Sequence, residues 1–395
     1  MKTSISIRSF SKLHFKHLLI FLFTAAGFVA GFFFPLRFSI ALRYDFFLPL
    51  IFTFLFLWAV WRLPHPWKEA VSAGFTTLLF SACLAALWRT GFHEVYDVFG
   101  LLPWFDSQGY YSEALRLLDG GIFSQIAARR PIFPGLFSTL LMLTGRNLRA
   151  AILILSFLAG ISTWFLANEF NKSEEKAIIP AAITTILFFF YRNFNGAVLT
   201  ETIGFSLGVL ALVFLWNAAV NRRLLLALIG LFCLTMALSA RPGAVFSLPL
   251  IILWIVFFLK PGSGMLAKII SSCVIVAAGL AINYGLTSVL APGSSAAYSN
   301  FAQSFYGLVN GGTGWRAIYA EHPEFFASGN EGLASQQIYQ AAWVIFKNHP
   351  EKTIQGGMRS IQVFFSAAPN SAFNFLGGTN TSREPDINNA PLEVI

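Results

Sequence analysis

Long apolar stretches recur along the chain, separated by short polar turns, and they set its layout before any single residue does. A membrane-spanning helix needs about 20 largely apolar residues, with about 17 as the lower edge. Nine stretches reach or approach that measure: 17–34, 46–61, 69–88, 148–167, 176–192, 199–218, 223–240, 243–259 and 266–285. The pattern predicts an all-α polytopic membrane protein with about nine transmembrane helices. The first stretch follows Lys12, His14 and Lys16, as the core of a signal peptide would. It runs on into bulky Phe and Pro rather than a small-residue cleavage site, so it reads as a retained helix. Two segments, 89–147 and 286–395, are far longer than a connection between helices needs, and short helices are expected in them. Within the first, Ile132–Gly145 is apolar but short, flanked by Arg129-Arg130-Pro131 and Arg146. That length suits a re-entrant or interfacial helix. The chain thus divides into an N-terminal three-helix membrane segment (1–88), a first external loop (89–147), a six-helix membrane core (148–285) and an external C-terminal segment (286–395).

Composition agrees with the pattern. Of 395 residues, 56% are hydrophobic and 11% charged, with a mean hydropathy of +0.65. A soluble domain carries about 25% charged residues, so this chain cannot wet a globular surface. Disorder, coiled coil, fibre and disulfide scaffold are excluded as well. Cys83, Cys233 and Cys273 sit inside apolar runs without C-x-x-C spacing and read as small core residues. The net charge of +9 belongs first to loops that set membrane orientation, not to nucleic acid. Lys2, Arg8, Lys12 and Lys16 place the N-terminus in the cytoplasm, and the loops 62–68, 168–175, 219–222 and 260–265 follow with basic residues on the same side. The loop 35–45 dissents, because it carries Arg37 and Arg43 on the outside. The two long segments fall outside too. Together with Glu201 they hold thirteen of the eighteen carboxylates, so chemistry is expected there.

Four groups of residues could carry it. Asp106 precedes a run in which Tyr110, Ala114, Leu117 and Leu118 share one helical face, stopped by Gly120 and Gly121. Asp106 is either an N-cap or a general base with a pKa raised among Trp104, Phe105 and Tyr110. Arg129 and Arg130, just before the short apolar helix, could clamp a phosphate bidentately or grip lipid headgroups. Glu201 opens a spanning helix, where a carboxylate is costly unless it is paired or meets water. It is a functional group or a partner of the helix N-terminus. Arg241, in Arg241-Pro242 between two spans, could bring positive charge to the same cavity or pair with Glu201. Glu94 and Asp97 lie nearby in sequence and stand next in line as substrate-binding groups or bases. A metal is weakly signalled: His93, Glu94 and Asp97, or Glu321-His322, lack the spacing of a zinc or calcium site, and only accessible carboxylates leave a divalent cation open. Asn310–Gly314 looks like a phosphate loop but lacks the following Lys-Ser/Thr. Asn380-Thr381-Ser382 matches the glycosylation triplet.

Taken together, these pieces resemble the GT-C glycosyltransferases. The closest likeness is to the branch that groups protein O-mannosyltransferases, aminoarabinose transferases and related bacterial enzymes using polyprenyl-phosphate sugars. The residues that carry the resemblance are Asp106, Tyr110, Ala114, Leu118 and Gly120; Arg130-Pro131-Ile132-Phe133-Pro134 running to Gly145; Thr200-Glu201; Arg241-Pro242; and a helix ending before Pro350. The resemblance covers about 90–365. It implies transfer of a sugar, with inversion, from a polyprenyl-phosphate donor to a glycan, lipid or protein acceptor in cell-envelope or protein glycosylation. On that reading Asp106 is the base, Glu201 assists, and Tyr110, Arg129, Arg130 and Arg241 bind substrate. The site would face the outside of a bacterial inner or plasma membrane. Three spans precede the first large loop where that family has one, and the chain ends at Ile395 without further helices. The alternatives are a transporter or flippase for a lipid-linked sugar, which would need polar residues along several spans, and a truncated, non-catalytic relative.

Overall fold

The computed structural model describes residues 7–174, 176–240, 247–259, 264–294 and 298–366. Among these the chain forms seventeen α-helices and one two-residue hairpin. All nine apolar stretches are helical over their described residues. They are α1 (Ile7–Phe33), α3 (Phe47–Val60), α4 (Trp67–Thr90), α8 (Leu148–Glu174), α9 (Ile178–Tyr191), α10 (Thr200–Asn221), α11 (Leu224–Ala240), α12 (Ser247–Phe258) and α13 (Met265–Leu290), with α2 (Leu36–Tyr44) between the first two.

Length separates them. α1, α4, α8, α10 and α13 are long and apolar enough to cross a membrane. α9, with 14 residues, reaches about 21 Å and α12, with 12, about 18 Å, against a hydrocarbon core of about 30 Å. Among the described residues five helices meet this measure, or six if α2 and α3 count as one broken span, so the full expected set of nine spans is not reached by length and composition. That pair corrects a second expectation: 35–45 is not an open loop but a helix, bent 101° from α3.

The faces of these helices explain the composition. α13 exposes Met265, Leu266, Ile270, Val274 and Val289, and α1 exposes Phe15, Phe21 and Phe33. Apolar bands of that extent are untenable in water and ordinary in lipid, so the chain is an integral membrane protein. α1 and α4 meet through small residues. A Cβ at Gly27 would lie 2.0 Å from the Gly74 carbonyl oxygen, and one at Gly31 2.0 Å from Ser81 Oγ. Only glycine at both steps of this G-x-x-x-G lets the backbones approach so closely, the usual packing device where lipid removes the hydrophobic drive.

The first long segment has its own architecture. Asp97–Val98 (β1) pairs antiparallel with Leu102–Pro103 (β2), in the register Asp97 to Pro103 and Val98 to Leu102. α5 (Asp106–Leu118), α6 (Gln125–Ala128) and α7 (Ile132–Leu143) follow. α5 ends as expected: Gly120 takes φ +82° and its N–H donates to the Leu117 carbonyl at 3.1 Å, while Gly121 N–H donates to the Arg116 carbonyl at 2.9 Å, so two late carbonyls are satisfied. α7 is the short apolar helix anticipated at 132–145. At 12 residues it is too short to cross, and it buries Phe133, Phe137 and Leu141 completely.

The second long segment comprises α14 (Ser299–Val309), α15 (Ala317–Glu321), a 3-10 turn at Pro323–Phe326, α16 (Glu331–Asn348) and α17 (Pro350–Phe364). Ala302, Tyr306, Val309, Ile318, Ile338 and Ala342 form a separate small core there. The glycine run 310–314 is the turn under α17 in this core, where Gly312 faces Gly356.

Candidate functional site

One packed cluster draws the candidate segments together. Tyr110 and Ala114 of α5, Ile132, Phe133, Phe137 and Leu141 of α7, Ala197–Leu199 and Ile203 around the start of α10, and Ala240 at the end of α11 share it. A hydrogen bond fixes the closest approach: Val198 N–H donates to Ser107 Oγ at 2.9 Å, with both groups buried. The residue after Asp106 is thereby tied to the loop that leads to Glu201. Ala240 brings the chain to the position before Arg241. Arg241 itself, with Pro242, lies outside the described residues, as does the Asn380 triplet.

Asp106 is the first residue of α5, not its cap; the cap position belongs to Phe105. Its side chain is exposed, so the expected enclosure by Trp104, Phe105 and Tyr110 is not what surrounds it. Trp104 and Phe105 instead pack edge to face on each other, with ring centroids 5.6 Å apart, and the Phe105 ring is itself largely exposed. The Phe105 backbone is unusual, at φ 48° and ψ −128°. A Cβ makes that conformation costly, by about 1–3 kcal/mol, and such strain concentrates at functional sites. Here it turns the chain so that α5 starts with a carboxylate facing outward. At the neighbouring helix, Thr200 Oγ1 donates to the Glu201 carboxylate at 2.9 Å.

Tyr110 is buried, its ring edge-on to Phe133 with centroids 5.5 Å apart. Arg129 lies near enough for the Tyr110 and Tyr319 phenols to act on it electrostatically. Its guanidinium is engaged by a carboxylate from the far end of the chain. Arg129 Nε donates to Glu331 Oε2 at 2.8 Å, and Nη2 donates to Glu331 Oε1. Hydrogen bonding to Glu331 holds the Arg129 pKa above its usual value. Ser299 Oγ donates to the same carboxylate at 3.1 Å. A phosphate-clamping Arg129 is thus occupied by Glu331 in this structure. Arg130 is half-buried at the entry to α7.

Glu94 and Asp97 sit in a second polar network. Arg43 Nε and Nη2 each donate to Glu94 at 2.6 Å, and Tyr44 Oη donates to it at 2.8 Å. Arg43 Nη1 donates to the Asn195 carbonyl at 2.8 Å, and Arg192 Nη1 to the Leu42 carbonyl at 2.9 Å. Asp97 is 3% exposed and accepts a backbone hydrogen bond from Gly100. Burial, then the nearby Glu94 carboxylate, pushes its pKa up to about 7. These two acids belong to a buried hub joining α2, α4, the hairpin and the loop before α10. The dissenting Arg43 is explained as well. It is 2% exposed and carries no loop charge into water, so it casts no vote on orientation.

Sequence reasoning missed Arg43, Arg192, Asn195 and Glu331. The positive charge on the wrong side of the pattern was the one signal that Arg43 is special. Among the described residues, no three of His, Cys, Asp and Glu gather where a metal ion could be held. A cleft of about 550 Å³ lies beside the Arg129–Glu331 pair, walled by Phe123–Gln125, Ala291–Ser294 and Ser328–Glu331. No protein-family model, curated protein or solved structure matches the chain.

Proposed function

We propose that the chain is an inverting glycosyltransferase that moves a sugar from a polyprenyl-phosphate donor to an acceptor hydroxyl at the external membrane face. The acceptor oxygen attacks the anomeric carbon and its proton passes to Asp106. The bond from that carbon to the phosphate oxygen breaks, and the electron pair leaves with the lipid phosphate. Arginine beside the leaving group stabilises the charge that develops there. Arg129, Arg130 and Arg241 are the side chains for that task, with Tyr110 beside Arg129 and Glu201 beside the acceptor. Membrane-spanning helices under the site suit a lipid-borne donor. The acceptor is a glycan, lipid or protein hydroxyl.

The observation that carries this reading is the strained Phe105–Asp106 step. An exposed carboxylate follows a backbone turn that costs free energy, and Ser107 ties it to the loop before Glu201. Asp106→Asn tests it. A carboxylate in the first turn of a helix is worth about 0.3–1 kcal/mol through the helix dipole, so a purely structural Asp106 predicts a small loss of stability and little loss of turnover. A base predicts about 10²–10⁴-fold slower transfer with folding and insertion intact. The measurement is release of polyprenyl phosphate or labelled sugar from membranes with matched protein levels. Activity within a few-fold of the parent would remove Asp106 from the chemistry.

A further inference from the structure

We propose that Arg129 and Glu331 form an anion-opened clasp: a phosphate group entering the adjacent cleft replaces the Glu331 carboxylate on Arg129 and releases the C-terminal segment from the first long loop. The inference rests on Arg129 being a phosphate ligand but not on sugar transfer.

A guanidinium presents the same paired N–H groups to a carboxylate and to a phosphate, so either anion fits one Arg129. Glu331 now fills that position, from 202 residues away in the chain. It also forms part of the cleft wall, together with Ser328, Gly329 and Asn330. The opposite wall comes from Phe123–Gln125, whose Ser124 N–H is held by Glu113 of α5 at 2.6 Å. One side of the cleft is therefore fixed to the α5–α7 unit. The other side belongs to the segment with its own small core, and Glu331 is the charged link between them.

The pair is placed to open. The side chains of Arg129 and Glu331 are 30% and 18% exposed, so water and ions reach both. Ser299 donates to Glu331 from within the same C-terminal segment and would travel with it. A phosphate carries more charge than a carboxylate and offers more acceptor oxygens, so it competes on favourable terms at Arg129. Ser124, Gln125, Ser294 and Asn330 around the cleft supply neutral polar groups for the remainder of the ligand. Both a lipid phosphate headgroup and free phosphate have this chemistry.

The test uses the full-length protein in nanodiscs, with Cys233 and Cys273 replaced by serine and spin labels at Gln125→Cys and Ser328→Cys across the cleft. Both label positions are exposed. In phosphatidylcholine discs, inorganic phosphate is expected to shift the label distance to a longer population. Glu331→Gln is expected to show that population without phosphate and to bind phosphate about tenfold more tightly, because the internal competitor is gone. Ser299→Ala, a milder change, is expected to move both readings in the same direction. Arg129→Gln is expected to abolish phosphate binding. Discs containing phosphatidic acid without free phosphate separate the sources: opening there alone assigns a lipid headgroup, opening with inorganic phosphate alone assigns a soluble ligand, and opening with both assigns the phosphate group itself. Unchanged distances in both arms, or phosphate affinity within twofold between the parent and Glu331→Gln, would overturn the clasp. Opening as described combined with full activity of Asp106→Asn would keep the clasp and discard sugar transfer.

Discussion

Two arginine–carboxylate pairs with the same two-pronged chemistry do opposite jobs in this molecule. Arg43–Glu94 is sealed, with side chains 2% and 13% exposed, while Arg129–Glu331 sits at 30% and 18%. The sealed pair is embedded: Tyr44 adds a bond to Glu94, and Arg43 also reaches the Asn195 and Cys83 carbonyls. At the open pair, Arg129 donates twice to Glu331, and Ser299 adds one more bond. Geometry alone does not tell a structural ion pair from an exchangeable one. The surroundings do, because burial makes an unpaired charge intolerable, whereas access to water gives each partner somewhere else to go.

The largest expected effect breaks the sealed pair. Arg43→Met leaves Glu94 facing a buried site with Tyr44 alone, and losing one partner of a buried pair costs about 3–5 kcal/mol. Replacing both, as Arg43→Met with Glu94→Leu, removes the orphaned charge and is expected to recover much of that loss. Glu331→Gln, at the open pair, is expected to cost about 1 kcal/mol or less. Denaturation of the three variants in detergent, followed by intrinsic fluorescence, checks the ranking. Equal losses for Arg43→Met and Glu331→Gln would erase the distinction between the two pairs.

A second effect, of similar size but spread over several pH units, comes from the pH response of the same hub. Asp97 has its pKa pushed to about 7, above an unfolded value near 3.8, by burial and by Glu94, with Arg43 acting in the opposite direction. The folded state therefore holds a proton that the unfolded state has released between those two values. Stability from this group is complete below about pH 4 and is lost as pH rises through about 7, at roughly 1.4 kcal/mol for each pH unit crossed. Asp97→Asn should flatten the slope in that window. A stability–pH profile that stays parallel to the parent's between pH 4 and 7 would show that Asp97 is ionised in the fold.

How much of this was legible in the sequence follows from distance along the chain. Helical face, stop and length signals act within about ten residues, and they found α5 with its Gly120 stop, the short apolar helix α7 inside 132–145, and the apolar cores of all nine candidate spans. Helix ends were less legible, because tertiary bonds decide them. Just past the last residue of α9, Arg192 is turned toward carbonyls of Leu42 and Asp45, a contact no local pattern announces. The long-range hub partners lie 40 to 152 residues apart and the clasp partners 202. A single sequence carries no signal for such pairings. Even so, Arg43 left a trace by violating the charge pattern. The candidate base was legible as a residue, but the strained Phe105 that presents it was not, since nothing about a phenylalanine announces a positive φ.

The smallest expected effect lies at Arg146, where a third ion pair extends the comparison to full exposure. Arg146 Nη2 donates to Asp119 at 2.7 Å, with side chains 54% and 61% exposed. Pairs this exposed are worth about 0–1 kcal/mol at most and weaken with salt. Arg146 also closes α7: its N–H donates to the Leu141 carbonyl, while Gly145 N–H reaches Met142. In doing so it takes φ +64°, a conformation that a Cβ makes unfavourable. The two effects oppose each other. Arg146→Ala gives up the ion pair and keeps the strained backbone, so a loss of about 0.5 kcal/mol or less is expected. Arg146→Gly gives up the same pair but relieves the backbone, by about 0.5–1 kcal/mol, and is expected to match or exceed the parent. Denaturation midpoints at low and high salt separate the two, because only the ion pair responds to salt. A destabilisation above about 2 kcal/mol in either variant would mean that exposure does not rank the three pairs.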